Sequence, residues 1–180
     1  KRGGAETFLE KLEPAKTDRH EVIVVSLTEK GPIGRDLEKY GIRVIYLKLR
    51  SIKNALLVFI KLVLFLRKSK PDVVQTWMYH ADLLGGLAAK VAGVKKVIWN
   101  IRSTNLEVGS SKNPQLIMRL CGKLSTLIPD HIVCVAKVSF LAHVKHGYDH
   151  KKMIVIHNGY TLPTANKNLD KLVALKEELD

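Results

Sequence analysis

Two glycines, Gly3 and Gly4, run straight into the amphipathic stretch "AETFLEKL". Residues without side chains at a helix start let the backbone approach a ligand closely, and the first-turn N–H groups with the positive dipole end favour a phosphate. The other reading of the pair is a frayed terminus. The rest of the chemical inventory is spare. No phosphate-loop pattern ending in Gly-Lys-Ser/Thr occurs and no G-x-G-x-x-G follows a strand, which argues against an ATPase and a dinucleotide enzyme. "GPIG" (Gly31 to Gly34) reads as a turn at best. His143, His146 and His150 lie near one another, but Gly147 ends the helix between them and Asp149 is the nearby carboxylate, so they read as solvated surface residues rather than metal ligands. No nucleophile of the G-x-S-x-G kind appears. No metal and no cofactor are expected, and catalysis is not self-contained in these residues.

Short apolar runs must position whatever chemistry exists. They are "EVIVVSL" (21–27), "RVIYL" (43–47), "DVVQTW" (72–77), "KVIWNI" (96–101), "HIVCV" (131–135) and "MIVIH" (153–157), and all read as buried strands. Helical patterns with stop signals alternate with them: Arg35 to Tyr40 before Gly41, Ile52 to Lys68 before Pro71, Ala81 to Ala92 before Gly93, and Val138 to His146 before Gly147. Asn113 and Pro114 read as N-cap and first position of a helix reaching Leu127. Such alternation predicts an α/β fold, a Rossmann-like doubly wound parallel sheet, with ligands met at the carboxyl ends of the strands. In that fold the first strand lies near the centre. The strand before Gly3 is lacking here, so two groups of strands are expected to flank a slot, and residues upstream of Lys1 are inferred.

The 180 residues are 46% hydrophobic and 26% charged, enough for one domain with a substantial core. The net charge of +13 suits an anionic partner. Cys121 and Cys134 sit in apolar patterns and read as buried thiols, which points to a reducing cytoplasm. The stretch "SIKNALLVFIKLVLFLRKSK" reads as a helix with Ser51 as N-cap, and its longest apolar run, Ala55 to Leu66, is interrupted by Lys61 and falls short of the ~20 residues needed to span a bilayer. It carries more apolar residues than one sheet-facing stripe needs, and Lys61, Arg67 and Lys68 besides. It reads as a core helix with an added contact to an anionic membrane surface.

The segments "RGGAETFLEKL", "PDVVQTWMYHADLLGGLAAKVAGVKKVIWNIRS" and "DHIVCVAKVSFLAHVKHGYDHKKMIVIHNGY", in this order, resemble the N-terminal, acceptor-side domain of a retaining family 4 glycosyltransferase with the GT-B architecture. The resemblance implies two Rossmann-like domains facing across a cleft. Residues 1–160 would be the acceptor-side domain, and 161–180 the linker and start of the donor domain. It implies that Gly3 and Gly4 approach the donor diphosphate, and that Asn158 and Gly159 are the "NG" leading to the linker. Arg102 and Trp77 stand where many members carry a His, so a histidine's role does not transfer to them. Arg102 could instead grip a phosphate or carboxylated sugar through its planar fork, or be an ordinary surface residue. With Ser103 and His80 they are the candidate acceptor or sugar contacts.

The implied partners are a nucleotide-diphosphate sugar and a glycan or lipid-linked acceptor. The implied place is the cytoplasm or the inner face of the membrane, and the chain alone is expected to be inactive. Two rivals stand beside this reading. A GT-B-type sugar-nucleotide epimerase would need several acid/base carboxylates in the strand-end loops, where only Asp82 and Glu107 occur. A basic nucleic-acid-binding domain would cluster Lys/Arg with aromatics on one face, whereas the basic residues here are scattered, and no nucleic acid is expected.

Overall fold

The computed structural model describes residues 21–102 and 112–158. The first pair of strands is β1 (Ile23–Ser26) and β2 (Arg43–Tyr46), joined by helix α1 (Pro32–Lys39). Helix α2 (Ala55–Ser69) leads on to β3 (Val73–Trp77), α3 (Tyr79–Ala92), β4 (Lys96–Ile101), α4 (Lys112–Leu124), β5 (His131–Cys134), α5 (Lys137–Lys145) and β6 (Met153–Val155). Every strand pairing is parallel. The order is β1-β2 in one sheet and β3-β4-β5-β6 in the other. Among the described residues β1 pairs only with β2 and β3 only with β4, which matches the expected division into two groups.

Several expected boundaries move, each for a local reason. "GPIG" is no mere turn: Gly31 is the extended N-cap of α1 and Pro32 its first residue, where a missing N–H costs nothing. Ser51 does not cap α2, because Ile52–Asn54 forms a 3-10 turn and Asn54 takes the N-cap position. The Asn54 side chain staples that loop, accepting from the N–H groups of Arg50 at 3.3 Å and Ser51 at 3.1 Å and donating to the Lys48 carbonyl at 3.0 Å. Helix α3 starts at Tyr79 rather than Ala81, and α4 begins at Lys112 rather than after an Asn113 cap. Helix α4 also stops at Leu124, not Leu127. There the Ser125 hydroxyl donates back to the Gly122 carbonyl at 2.6 Å and accepts the Asp149 N–H at 2.8 Å, which turns the chain towards Pro129.

Register and alternation sort the four-stranded sheet into two faces, since directly paired residues point the same way and neighbours along a strand point oppositely. Thr76, Trp99, Ile101, Ile132, Cys134 and Met153 are buried on the face covered by helices. Ala88 and Ala89 of α3, Met118 and Cys121 of α4, and Leu62, Val63 and Leu66 of α2 close that core. Val25 and Leu47 pack against the same cluster, so the two-stranded sheet shares it. A glycine is required at one contact. A Cβ on Gly86 would lie 2.6 Å from Trp99 Nε1 and 2.9 Å from Ile128 Cγ2, so α3 approaches the indole only because that side chain is absent. Cys121 and Cys134 are free, buried thiols, as expected; burial raises them to about 12 and about 11.

Asp130, in the turn before β5, ties the far edge of the sheet. It accepts the Val97 N–H at 2.7 Å and faces Lys90 at 3.2 Å. Burial raises its pKa, but these partners outweigh burial and hold it below the usual value. The β1–β2 part carries exposed pairs instead, Arg50 with Glu29 at 2.5 Å and Lys30 with Glu38 at 2.5 Å, which are worth little in water.

Candidate functional site

Three residues singled out from the sequence meet at the carboxyl ends of the strands. Trp77 ends β3, Arg102 follows β4, and Asn158 lies just beyond β6. The Arg102 guanidinium carbon sits over the Trp77 ring, 4.9 Å from its centroid, and Arg102 Nη1 donates to Asn158 Oδ1. The reason is register. Trp77 is paired with Asn100, so Trp77, Asn100 and, two residues on, Arg102 share the face opposite the helix-covered core. Partial burial lowers the Arg102 pKa from its usual value, yet a guanidinium remains a cation at any working pH. A planar cation stacked on an indole and bonded to an amide has the charge and geometry to grip an anion.

The turn that carries Trp77 is strained and pinned. Met78, its next residue, has φ 75° and ψ 147°, a backbone conformation that a side chain disfavours. Two buried polar links hold it. Thr76, just before, donates its hydroxyl to Asp82 Oδ1 at 2.6 Å. Tyr79, just after, bonds His143 Nε2 at 2.8 Å, and His143 Nδ1 lies 2.7 Å from the Ser139 carbonyl. A carbonyl only accepts, so Nδ1 carries the proton, Nε2 is bare, and the Tyr79 O–H is the donor. Burial favours this neutral imidazole by lowering the His143 pKa. Cys121 Sγ donates to the Tyr79 carbonyl at 3.5 Å.

His143 is therefore not the solvated surface residue the sequence suggested. It is fully buried, because α5 turns its Ser139–His143 row into the protein against α3 and Tyr148. Asp82 is likewise no strand-end acid. It is fully buried, its Oδ2 makes no hydrogen bond among the described residues, and burial raises its pKa to about 8 against the opposing Thr76 bond.

His80 is exposed on the first turn of α3 and does not join the Trp77–Arg102 contact. Gly3, Gly4, Ser103 and Gly159 lie outside the described residues. Sequence reasoning passed over Asn100 and Met78. Asn100 is 3% exposed at the mouth of the site, with an Oδ1 that makes no hydrogen bond among the described residues. Its signal was a polar amide near the end of the apolar run "KVIWNI". Met78 had no signal, since its backbone conformation is imposed by its neighbours. Among the described residues no three His, Cys, Asp or Glu side chains come close enough to hold a metal ion.

Parallel strands under crossover helices, with a site at their carboxyl ends, define a Rossmann-like α/β domain. The domain matches one half of GT-B glycosyltransferase structures. The family model for Glycosyltransferase Family 4 matches residues 2–162, and the chain belongs to that family. The structure of Anabaena HepE in complex with UDP superposes with a TM-score of 0.74 at 20% identity, covering 99% of this chain and 47% of HepE. The lipopolysaccharide outer core galactosyltransferase WaaB, in its apo form, gives a TM-score of 0.64 at 16% identity, covering 90% of this chain and 44% of WaaB. The Escherichia coli UDP-Gal:alpha-D-GlcNAc-diphosphoundecaprenol alpha-1,3-galactosyltransferase is 28% identical over 124 residues, 65% of this chain and 32% of that enzyme. The chain thus spans less than half the length of each of these proteins.

Proposed function

We propose that the chain is the acceptor-side half of a retaining glycosyltransferase that moves a hexose from a nucleoside-diphosphate donor to a glycan or lipid-linked acceptor. The observation that carries this reading is the Trp77–Arg102–Asn158 assembly at the strand ends of a family 4 domain. The UDP in the HepE structure and the lipid diphosphate in the name of the E. coli relative support the two substrate classes. In transfer, an acceptor oxygen bonds to the anomeric carbon as the sugar–phosphate bond breaks. The electron pair leaves with the nucleoside diphosphate, and the hydroxyl proton ends on that product.

Arg102 holds an anionic group of donor or acceptor through its charged fork, and Trp77 backs its cation. Gly3 and Gly4 approach the donor diphosphate, while Ser103 and His80 border the acceptor. Residues 1–160 form the domain, and Asn158-Gly159 leads into a linker over 161–180. Donor contacts on a second domain complete the cleft, and residues 1–180 alone transfer nothing. The enzyme works at the inner, cytoplasmic face of a membrane, against its anionic surface.

The test is transfer by the complete polypeptide from a panel of UDP-hexoses to a lipid-diphosphate-linked glycan. Arg102→Ala is expected to lower kcat/KM by two to three orders of magnitude, about 2 to 4 kcal/mol, with Arg102→Lys between it and the parent. Unaltered kinetics in Arg102→Ala would remove this site. Turnover by residues 1–180 alone would refute the two-half reading.

A further inference from the structure

Asn100 interrupts the apolar run of β4. That strand is paired on both sides, with Trp77 of β3 and Val133 of β5 directly beside Asn100. A β-branched or aromatic residue suits such a position, and an asparagine does not. The side chain is only 3% exposed, yet its Oδ1 takes no hydrogen bond among the described residues. Val133 has no side-chain donor to give it. An amide carbonyl kept dry and unpartnered costs stability, and no contact with its strand neighbours offsets that cost.

We infer that Asn100 is a specificity-determining residue, its Oδ1 accepting a hydrogen bond from a hydroxyl of the hexose while Arg102 holds an anionic group attached to that sugar. The hexose rests on the glycosyltransferase reading; the need for a neutral donor at Asn100 does not.

The two side chains require opposite things of a ligand. A carbonyl oxygen only accepts, so it repels a phosphate or carboxylate and fits an O–H or N–H. The Arg102 guanidinium only donates, and its charge draws the anion. Both residues lie on one face of the sheet, two positions apart, about 6.5 Å along the strand direction. A hexosyl diphosphate carries a phosphate oxygen and a ring hydroxyl at a spacing of that order, so the pair sets which way the sugar points. Donor and lipid-diphosphate acceptor share this chemistry.

Burial raises the worth of the contact. An oxygen that has already lost its water gives up nothing when a ligand hydroxyl arrives, so the new bond counts for more than one made by an exposed acceptor. A ligand without that hydroxyl leaves the carbonyl unpartnered and forgoes the gain.

The experiment measures kcat/KM of the complete polypeptide on two panels, monodeoxy analogues of a transferred UDP-hexose and monodeoxy analogues of the sugar on a lipid-diphosphate acceptor, with the attacking hydroxyl kept. Removal of one hydroxyl, in one panel, is expected to lower the parent's kcat/KM by on the order of 10- to 100-fold. Asn100→Leu, of nearly the same shape, and Asn100→Val, a better strand former, should be slowed to a similar degree on the full substrate and lose at most about twofold more when the same hydroxyl is removed. The panel that shows this coupling assigns the hydroxyl to donor or acceptor. Both variants should melt at or above the parent's temperature, because an unpartnered amide has left the strand. A merely structural Asn100 predicts the reverse, with every substrate slowed alike. Three outcomes overturn the proposal and leave the transferase reading standing: no deoxy analogue slows the parent by more than a few-fold, the variants keep the parent's profile across both panels, or neither variant folds. No transfer of an unmodified hexose by the complete polypeptide overturns both.

Discussion

The two faces of the β3–β6 sheet use the same strands for opposite ends. On one face Thr76, Trp99, Ile101 and Cys134 are sealed under α3 and α4, and Thr76 gives its hydroxyl to Asp82 there. On the other face Trp77, Asn100 and Arg102 come from adjacent positions of the same strands, yet two of the three are only partly buried and the third has an oxygen that makes no hydrogen bond among the described residues. One residue along a strand separates a core side chain from a site side chain. The difference teaches that the covered face sets where the open face points: Thr76–Asp82 and Tyr79–His143 grip the turn from within, and Trp77 is displayed outside it. Substitutions on the covered face should therefore change stability, and those on the open face should change ligand contacts.

The sharpest break of that contrast is Trp99→Ala. The indole is fully buried between Gly86 and Tyr148, and its removal should cost about 3–5 kcal/mol, seen as a large loss of melting temperature or of folded protein. Gly86→Ala probes the same contact from the other side. Its Cβ would fall 2.6 Å from the indole nitrogen, so α3 must shift, at a cost of about 1–3 kcal/mol in chemical denaturation. A melting temperature equal to the parent's would show that α3 does not lean on Trp99.

Much of this arrangement was legible in the residues. Six apolar runs correspond to the six strands among the described residues, because a parallel sheet buried by helices leaves a near-continuous hydrophobic signal. Trp77 and Arg102 were legible as neighbours because parallel strands deliver their carboxyl ends to one edge, whereas Asn158 read only as the turn into the linker. Which face each would take was not legible, since the pairing of Trp77 with Asn100 is a tertiary fact. The roles of His143 and Asp82 were hidden for a related reason. A histidine near the end of a short helix, among other histidines, looks solvated until the partner from α3 is known. The end of α4 misled because Ser125 spends its hydroxyl on its own helix, which local propensity does not show.

Asp82 allows a finer test of the covered face. Its folded-state pKa of about 8 lies above the ordinary carboxylate value of 3.8, so between those pH values the folded chain holds a proton that the unfolded chain has lost. Stability contributed by this group is present in full below the unfolded value and is lost as pH rises through about 8, with a slope of up to about 1.4 kcal/mol per pH unit. Asp82→Asn keeps an acceptor for Thr76 and removes the titration. From pH 7 to pH 8, above the ordinary His value, the parent's melting temperature should fall more than the variant's. Parallel curves would mean that Asp82 is ionised in the folded protein.

The smallest expected effect on stability is on the open face, and it separates the two faces most directly. Arg102→Gln removes a stacked cation and one hydrogen bond at a partly open position, so it should cost less than about 1 kcal/mol. The chain has two tryptophans, one on each face, which makes fluorescence a face-specific probe. With Trp77→Phe, only Trp99 reports; its emission should be blue and poorly quenched by acrylamide, and Arg102→Gln in that background should leave it unchanged. With Trp99→Phe, Trp77 reports, and Arg102→Gln should raise its quenching because the guanidinium no longer covers the ring. A change at Trp99 of equal size would mean that the faces are coupled through the strands, and that Arg102 supports the core as well as the site.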